Sequence, residues 1–406
     1  MRSKRFLLIP GNNSLSHVAK CLALRQALAG RGHEALLAVS RKSAGFLERL
    51  GVEYAVLPDL QENDDAGLPT VEWFRDGSRI AACIDAEIEL LKRFRPDRAV
   101  GVFRFTLKAS AQAAEVPFDS LASGCLLPGG SEVLGFSDGE PGRASQQIIL
   151  NGFYEYAGAK ISREIARFGI APVRDARSFL VGENTLLWDF PQFSRAPELP
   201  GVVHVGPVTW NHWPYDPLDV SALKLNGSPL AIVAFGTCAA YAGVAGRIVR
   251  LLVGLGYHVV VAAGGQRAFL DSVPGSGRVT VCSFAPLHEL FPRASLLVTH
   301  GGQMTVFEAL RHQVPVAVMP FQPEQAHNGV CLERLGCGRR LIPSQCFQGN
   351  PAVYLDALNR RSDAELAADI AGLTDDPAVP TRLAAVKAIM DGYRSVDAAA
   401  DRLEVA

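Results

Sequence analysis

The chain has 406 residues, of which 40 are basic and 41 acidic, giving a net charge of −1, with a mean hydropathy of +0.13. This length exceeds one ordinary hydrophobic core and predicts two domains of roughly 200 residues each. The balanced charge argues against an extended nucleic-acid surface, and the lack of any run of about 18 apolar residues predicts no membrane span.

The eight cysteines are spread along the chain, and no two of them form a C-x-x-C pair. This usage predicts reduced thiols in a cytoplasmic protein rather than disulfides or a zinc site. The start of the chain, MRSKRFLLIPGNN, has basic residues before an apolar run, as a signal peptide does, but the run from Phe6 to Ile9 is too short for one. It predicts a first buried strand instead. No feature of the sequence indicates an oligomeric state.

Strand and helix patterns alternate from the first residues of the chain. The strand RFLLIP is followed by a helical pattern from His17 to Ala29, the strand EALLAVS, a second helix and the strand EYAVLP. The runs RPDRAVGVF and VPFDSLAS continue the series, which predicts a parallel sheet with helices on both faces. Glycines and prolines from Pro128 to Gly142 predict a loop, and helical segments follow between residues 148 and 168.

A stretch without periodicity between Pro207 and Pro229 predicts a domain boundary. After it the patterns alternate again, with LAIVAFGT, a helix from residue 244 to 255, HVVVAAGG, RVTVCSF, LLVTHGG and VPVAVMP. An amphipathic pattern from Arg382 to Glu404 predicts a final helix. We therefore predict a first domain over residues 1–207, a linker over 208–228, a second domain over 229–381 and a terminal helix within 382–406.

The most informative segment of the chain runs from Thr299 to Asn328. A buried strand ends at His300, two glycines predict a sharp strand-to-helix turn, and the helical pattern MTVFEALRHQ ends before Pro315. The start of such a helix presents free backbone N–H groups and the positive end of the helix dipole, which together bind anions. The segment therefore predicts a phosphate site.

Side chains at fixed offsets extend this phosphate site. His300 and Thr305 can donate hydrogen bonds to phosphate oxygens, and Glu308, on the same helical face as Thr305, can accept from ribose hydroxyls. Glu324 and Gln325 follow the next predicted strand, whose carboxyl end opens onto the same crevice of a parallel sheet. A carboxylate beside an amide can bind several sugar hydroxyls. Together these side chains predict a nucleotide-sugar site.

The segment combines HGG, a hydroxyl five residues after the histidine, an acid eight residues after it, a QVP segment, an acid and glutamine pair, and an asparagine. This combination resembles the donor-binding signature of GT-B glycosyltransferases of the small-molecule UDP-sugar and macrolide type. The resemblance implies an α/β fold of two Rossmann-like, doubly wound parallel-sheet domains facing a central cleft. The first domain would bind the acceptor, the second would bind the nucleotide-sugar, and the terminal helix would cross back to the first.

The same resemblance implies roles for other residues around the donor. The ring of Phe284, followed by Ala285 and a proline, would pack on the nucleobase, and the turn at Gly236 and Thr237 would touch the diphosphate. Met304 replaces the usual Asn or Gly, and Glu324 stands where the family usually has Asp. The full implied donor set is Gly236, Thr237, Phe284, Ala285, His300, Gly301, Gly302, Met304, Thr305, Glu308, Glu324 and Gln325.

His17 lies in the segment PGNNSLSHVAK, which follows the first predicted strand at the cleft-facing end of the sheet. In the resembling family a histidine here is the general base on the acceptor hydroxyl, a task suited to its ordinary pKa. A helix-capping histidine without chemistry is the alternative interpretation.

Many family members place an Asp after the fourth strand to orient this histidine, but residues 99–108, AVGVFRFTLK, contain no acid. Either another carboxylate supplies this role, with Asp119 as one candidate, or the base works unassisted. Arg104 either binds an acidic acceptor, lowers the pKa of His17 by like-charge repulsion, or is a surface charge.

These features predict an inverting, metal-independent glycosyltransferase that moves a sugar from a UDP or dTDP donor to a hydroxyl of a small molecule, as in natural product glycosylation. No Asp-x-Asp motif is present, so the helix dipole, His300 and Thr305 are expected to replace a metal ion. No cofactor is implied beyond the nucleotide-sugar co-substrate.

Two alternatives remain open. One is a nucleotide-sugar epimerase or hydrolase of similar fold, and the other is a catalytically weak sugar-nucleotide-binding subunit that activates a partner. A Rossmann dehydrogenase is disfavoured because PGNNSLSH lacks the G-x-G-x-x-G fingerprint.

Overall fold

The computed structural model describes residues 2–11, 14–61, 71–213, 218–236, 242–266, 271–273, 277–346 and 352–405. The chain divides into two compact units. The first unit contains Met1–Glu132, Gln147–Trp210 and Tyr393–Ala406, and the second unit contains Val133–Gln146 and Asn211–Gly392. Within the described ranges, no helix is both long and apolar enough to cross a membrane.

The first unit is built on a parallel sheet whose central strands are almost entirely buried. Its described strands are β1 (Arg5–Pro10), β2 (Glu34–Val39), β3 (Tyr54–Val56), β4 (Arg98–Val102), β5 (Phe118–Ala122), β6 (Thr185–Leu187) and β7 (Val202–His204), in the order β3-β2-β1-β4-β5-β6-β7. Its helices are α1 (Leu15–Gly30), α2 (Arg41–Arg49), α3 (Gly77–Phe94), α4 (Leu107–Ala113) and α5 (Arg143–Ile165), the last beginning in the second unit. Every residue of β4 is buried, as expected for a strand covered by helices on both faces.

The second unit repeats this architecture. Its described strands are β8 (Leu230–Ala234), β9 (His258–Ala262), β10 (Val279–Cys282), β11 (Ala294–Thr299), β12 (Val316–Val318) and β13 (Gly338–Arg340), in the order β10-β9-β8-β11-β12-β13. Its helices are α6 (Ala242–Gly254), α7 (Leu287–Leu290), α8 (Gln303–Arg311), α9 (Pro323–Leu335), α10 (Ala352–Asn359), α11 (Asp363–Thr374) and α12 (Val379–Asp391). The prediction of two doubly wound, Rossmann-like parallel sheets is therefore confirmed.

Strand order changes direction once in each sheet, between β1 and β4 in the first unit and between β8 and β11 in the second. The loops after these paired strands leave on opposite sides, which opens a crevice at the carboxyl ends of the strands where ligands of such folds bind. His17 follows β1, and His300 follows β11 directly. Each candidate histidine thus lies at the switch point of its own sheet.

The terminal helix differs from its prediction. Residues 382–404 form not one helix but two, α12 and α13 (Val396–Val405), because the chain breaks after Asp391 and Ser395 adopts a φ of +42°. The chain from Tyr393 onward belongs to the first unit. There Arg31 pairs with Asp397 at 3.0 Å and with other acids of α13. An amphipathic pattern continues across such a break, so periodicity does not reveal it.

The glycine-rich run from Pro128 to Gly142, predicted as a loop of the first half, belongs in part to the second unit. Residues 133–146 belong to the second unit. The carbonyl oxygen of Gly135 accepts from Arg340 Nη1 at 3.2 Å and from Ser344 Oγ at 2.6 Å. A long-range ion pair with Glu140 reinforces the attachment. The second unit is therefore discontinuous in sequence.

Candidate functional site

The turn between β11 and α8 requires glycine at position 301. Gly301 has a φ of +92°, and a Cβ atom there would lie 2.8 Å from both the carbonyl oxygen of Gln325 and Val318 Cγ1. The carbonyl oxygen of Gly301 accepts from Asn328 Nδ2 at 2.9 Å. The backbone therefore turns sharply against the start of α9, and α8 begins directly after this turn.

Two further glycines make room for the imidazole of His300. A Cβ atom at Gly302 would lie 2.5 Å from His300 Nε2, and one at Gly236, whose φ is +61°, would lie 3.0 Å from Cε1. The ring consequently packs between the turn after β8 and the start of α8. This position is the switch point of the second sheet.

Burial lowers the pKa of His300 to about 4, and a backbone contact with Ala234, whose carbonyl oxygen lies 3.5 Å from Nδ1, opposes the shift weakly. The ring is therefore neutral near pH 7. The hydroxyl oxygen of Thr299 lies 3.3 Å from the same nitrogen and accepts from the N–H of Gly301 at 3.4 Å. The Thr299 hydroxyl and the Ala234 carbonyl favour opposite tautomers of the ring.

Helix α8 begins at this turn with Gly302 as its N-cap. Thr305 is half-buried in the first turn, and Met304 beside it is buried. The N-terminus of the helix thus offers backbone donors, the dipole and a hydroxyl to an anion.

Glu308 lies one turn further along α8 and is only 7% exposed. Its Oε1 is 3.5 Å from Nε2 of His312, whereas its Oε2 is buried and accepts no hydrogen bond from any residue that the structure describes. Leaving a buried carboxylate oxygen without a donor costs free energy. The atom is therefore suited to accept a hydrogen bond from a bound hydroxyl.

Glu324 and Gln325 occupy the first turn of α9. The side-chain oxygen of Gln325 accepts from the backbone N–H of Phe321 at 2.9 Å, so its amide NH₂ group is the part left for a ligand. Phe284 is half-buried, and its ring lies 3.3 Å from the position of a Cβ atom at Gly265. Ala285 is buried. Thr237 lies outside the described residues.

In the first unit, His17 is the third residue of α1, whose N-cap is Ser14. The centroid of its ring lies 5.5 Å from that of Phe103, the residue that follows β4 and has a φ of +53°. Its Nδ1 is buried and makes no hydrogen bond within the described ranges. Burial and then the charge of Lys20 lower the pKa of His17 to about 3, with a weak opposing effect from the backbone of Gly11.

Comparisons with known proteins agree on one class. Residues 250–357 match the glycosyltransferase family 28 C-terminal domain. Over 353 residues, covering 83% of this chain and 76% of the relative, the sequence is 23% identical to a PGL/p-HBAD biosynthesis rhamnosyltransferase of Mycobacterium bovis. Over 121 residues, 30% of this chain and 26% of the relative, it is 32% identical to demethyllactenocin mycarosyltransferase of Streptomyces fradiae.

Solved structures show the same fold. The spinosyn rhamnosyltransferase SpnG, complexed with thymidine diphosphate, matches with a TM-score of 0.71 and 17% identity over 98% of this chain and 100% of that chain. SsfS6 of Streptomyces sp. SF2575, also complexed with thymidine diphosphate, matches with a TM-score of 0.68 and 19% identity over 99% and 100%. The chain is a GT-B glycosyltransferase.

In this glycosyltransferase Arg104 is not a surface charge. It is 3% exposed, and its guanidinium donates to Glu87 at 2.6 Å and to Asp59 at 2.5 Å. Because the guanidinium of Arg104 is already paired with these two carboxylates, it is not available to bind an acidic acceptor. The cation that lowers the pKa of His17 is Lys20, not Arg104.

Asp119 does not supply the missing carboxylate either. It is fully buried near the amino end of β5, whereas His17 follows the carboxyl end of β1. Its oxygens accept from Arg98 Nε at 2.5 Å and from the backbone N–H of Asn184 at 3.0 Å. Of the two sequence hypotheses for the histidine, the structure favours a ring without a carboxylate partner.

Sequence reasoning missed two neighbours of the candidate histidines. Phe103 packs on His17, and Thr299 contacts His300. Thr299 is adjacent to His300, so its hydroxyl was a readable signal. Phe103 was visible only as the residue standing in the acid-free stretch after the fourth strand.

Proposed function

We propose that this glycosyltransferase transfers a sugar, with inversion and without a metal ion, from a nucleoside diphosphate donor to a hydroxyl of a small molecule. The observation that carries the proposal is the imidazole of His300, which packs between Gly236 and Gly302 at the N-terminus of α8. This arrangement combines a neutral ring, backbone donors and a helix dipole at the switch point of a parallel sheet.

The donor is proposed to lie along α8. Its diphosphate would accept from His300, Thr305 and the first backbone N–H groups, and a ribose hydroxyl would donate to the buried Oε2 of Glu308. Glu324 and the amide NH₂ of Gln325 would bind the sugar, and Phe284 would pack on the nucleobase. The thymidine diphosphate complexes of two structural neighbours and the rhamnosyl and mycarosyl transferases among the relatives favour a dTDP-linked deoxysugar over a UDP donor.

Chemistry at the sugar would be a single displacement. His17 takes the proton of the acceptor hydroxyl, the acceptor oxygen attacks the anomeric carbon, and the nucleoside diphosphate leaves from the opposite face. Inversion follows because no covalent glycosyl intermediate forms. The charge that develops on the diphosphate is stabilised by the N-terminus of α8, His300 and Thr305, which takes over the usual role of a divalent cation.

The test is transfer by the purified full-length chain, with dTDP- and UDP-linked rhamnose or hexose and a panel of hydroxylated acceptors. We expect acceptor-dependent release of nucleotide, an inverted anomeric centre by NMR and an unchanged rate in EDTA. His17→Gln should abolish turnover while retaining nucleotide binding, and His300→Gln should weaken nucleotide binding.

Three results would contradict the proposal. Release without an acceptor indicates a hydrolase or epimerase, and binding without turnover indicates an activating subunit. Unchanged nucleotide affinity in His300→Gln would overturn the donor site itself.

A further inference from the structure

The residue that faces His17 from the neighbouring strand of the sheet is aromatic, Phe103. Phe103 follows the last residue of β4 directly, and its backbone has a φ of +53°. Bulky residues rarely adopt this left-handed conformation, and outliers of this kind cluster at functional sites.

The surroundings of Phe103 hold it in place. The centroids of the Phe103 and Phe105 rings lie 5.0 Å apart. The intervening Arg104 is held by ion pairs with Glu87 and Asp59. Phe103 itself is half-buried, so part of its ring remains open to a ligand. The turn after β4 is therefore a rigid, apolar support beside the imidazole of His17.

This support supplies no carboxylate to stabilise a protonated imidazole. No carboxylate of the described residues hydrogen-bonds either nitrogen of His17, and the nearby charge is the cation of Lys20, which is buried one turn further along α1. An imidazolium formed at His17 would face like charge in a poorly hydrated place, which burial and Lys20 both disfavour. His17 is consequently a weak base.

From this arrangement, and resting on the proposed function, we infer that the acceptor presents an acidic hydroxyl of the phenol class on a planar apolar ring that packs against Phe103. A phenol such as the tyrosine side chain has a pKa near 10, whereas an ordinary aliphatic hydroxyl, like water, is a far weaker acid. A weak base is effective only on the more acidic of the two.

In the step itself the phenolic O–H bond breaks and its proton passes to the imidazole of His17. The phenolic oxygen forms a bond to the anomeric carbon. The bond from that carbon to the diphosphate oxygen breaks, and its electron pair leaves with the nucleoside diphosphate. No oxidant, reductant or further reactant is needed.

Acceptors that carry both hydroxyl types on one molecule give the sharpest test, because binding is then common to the two reactions. We would use a panel of hydroxyalkyl phenols, from 4-(2-hydroxyethyl)phenol to analogues on larger planar ring systems, beside purely aliphatic polyols. NMR of the product distinguishes the phenolic glycoside from the alkyl glycoside. We expect the phenolic product to exceed the alkyl product by at least about 100-fold, the low end of what proton transfer to a well-matched base contributes.

Matched variants connect the preference to Phe103. Asp and Asn both tolerate the left-handed conformation at this position, so Phe103→Asp and Phe103→Asn differ chiefly in charge. We expect Phe103→Asp, which places a carboxylate beside the histidine, to shift the product ratio toward the alkyl glycoside by at least about tenfold. Phe103→Asn should not produce this shift.

The outcomes separate this inference from the proposed function. Predominant alkyl glycoside, transfer to aliphatic polyols but to no phenol, or equal shifts in the Asp and Asn variants would each overturn the inference and leave the glycosyl transfer standing. Nucleotide bound but never released with any acceptor would overturn the proposed function, and the inference with it.

Discussion

The hydroxyl of Thr299 lies 3.3 Å from Nδ1 of His300 while it accepts the backbone N–H of Gly301. A hydroxyl that accepts from an N–H group has its own proton to give. If it gives that proton to Nδ1, the neutral ring carries its hydrogen on Nε2, where it can donate to a phosphate. Thr299 would then act as a positioning residue that selects the tautomer of His300.

Thr299→Val is expected to weaken binding of thymidine diphosphate about tenfold, the effect of one hydrogen bond of roughly 1.4 kcal/mol. Thr299→Ser keeps the hydroxyl and should bind as the wild type does. Calorimetry measures the affinity, and ¹⁵N NMR of the imidazole should show the Nε2–H tautomer in the wild type. An Nδ1–H tautomer would mean that Nδ1 donates to the carbonyl oxygen of Ala234 instead.

Removing the charge of Glu308 should weaken nucleotide binding through the ribose. We expect Glu308→Gln to lower the affinity for thymidine diphosphate roughly 10- to 100-fold, the range for a charged hydrogen bond. His312→Gln is the matched control, because His312 contacts Oε1 and leaves the buried Oε2 in place. If Glu308→Gln loses as much affinity for 3′-deoxythymidine diphosphate, which lacks the one free hydroxyl of the sugar, the assignment is wrong.

Substitutions of the glycines next to His300 can distinguish a loss of nucleotide binding from a loss of folding stability. At Gly302 a methyl group would displace the imidazole, so Gly302→Ala should reduce nucleotide binding more than it reduces the free energy of unfolding. Gly301→Ala meets backbone at a positive φ and should destabilise the fold by roughly 1–3 kcal/mol.

Gly372→Ala, in an exposed part of α11 with open space, is the control and should be neutral or stabilising by up to about 1 kcal/mol. Urea unfolding and calorimetry measure the two effects. Equal loss of binding in Gly301→Ala and Gly302→Ala, with equal loss of stability, would argue against a specific role for the imidazole.

The lowered pKa values of His17 and His300, about 3 and about 4, make stability depend on pH. In the unfolded chain both imidazoles take up protons below about pH 6.5, whereas in the folded chain His17 stays neutral down to about pH 3 and His300 down to about pH 4. Stability is therefore complete above pH 6.5 and falls as the solution is acidified. Between pH 7.5 and 5 the loss should be about 2 kcal/mol for each residue.

Urea unfolding at both pH values should show a smaller loss for His17→Gln and for His300→Gln than for the wild type. His212→Gln, at an exposed position, should leave the loss unchanged. A pH dependence identical in all four proteins would contradict the burial of the two imidazoles.

Arg340 is expected to hold residues 133–146 in the second unit. Its side chain is 11% exposed and pairs with Glu140 and Glu333, whereas the neighbouring Arg339 is 51% exposed and pairs with Asp369. Arg340→Gln should accelerate amide hydrogen exchange throughout residues 133–146, and Arg339→Gln should not. Unchanged exchange in Arg340→Gln would mean that apolar packing by itself fixes the segment.

Much of the fold could be predicted from local sequence patterns. The alternation of buried strands and helices predicted two parallel sheets, and the glycines after β11 predicted the turn that exposes the start of α8. These signals lie within a few residues of the elements they describe, because strand burial, glycine conformation and helix capping are local properties. The same holds for the offsets of Thr305 and Glu308 from His300, whose proposed roles in donor binding stay predictions.

Only the tertiary structure decided which distant residues meet. The acid partners of Arg104 precede it by 17 and 45 residues, and the anchor of Gly135 follows it by 205. The contact of His17 with Phe103 arises because β1 and β4 are neighbours at the switch point although 86 residues separate the two side chains (103 − 17). Such contacts depend on the strand order of the whole sheet and on the pairing of buried charges. Neither produces a pattern of fixed spacing in the sequence.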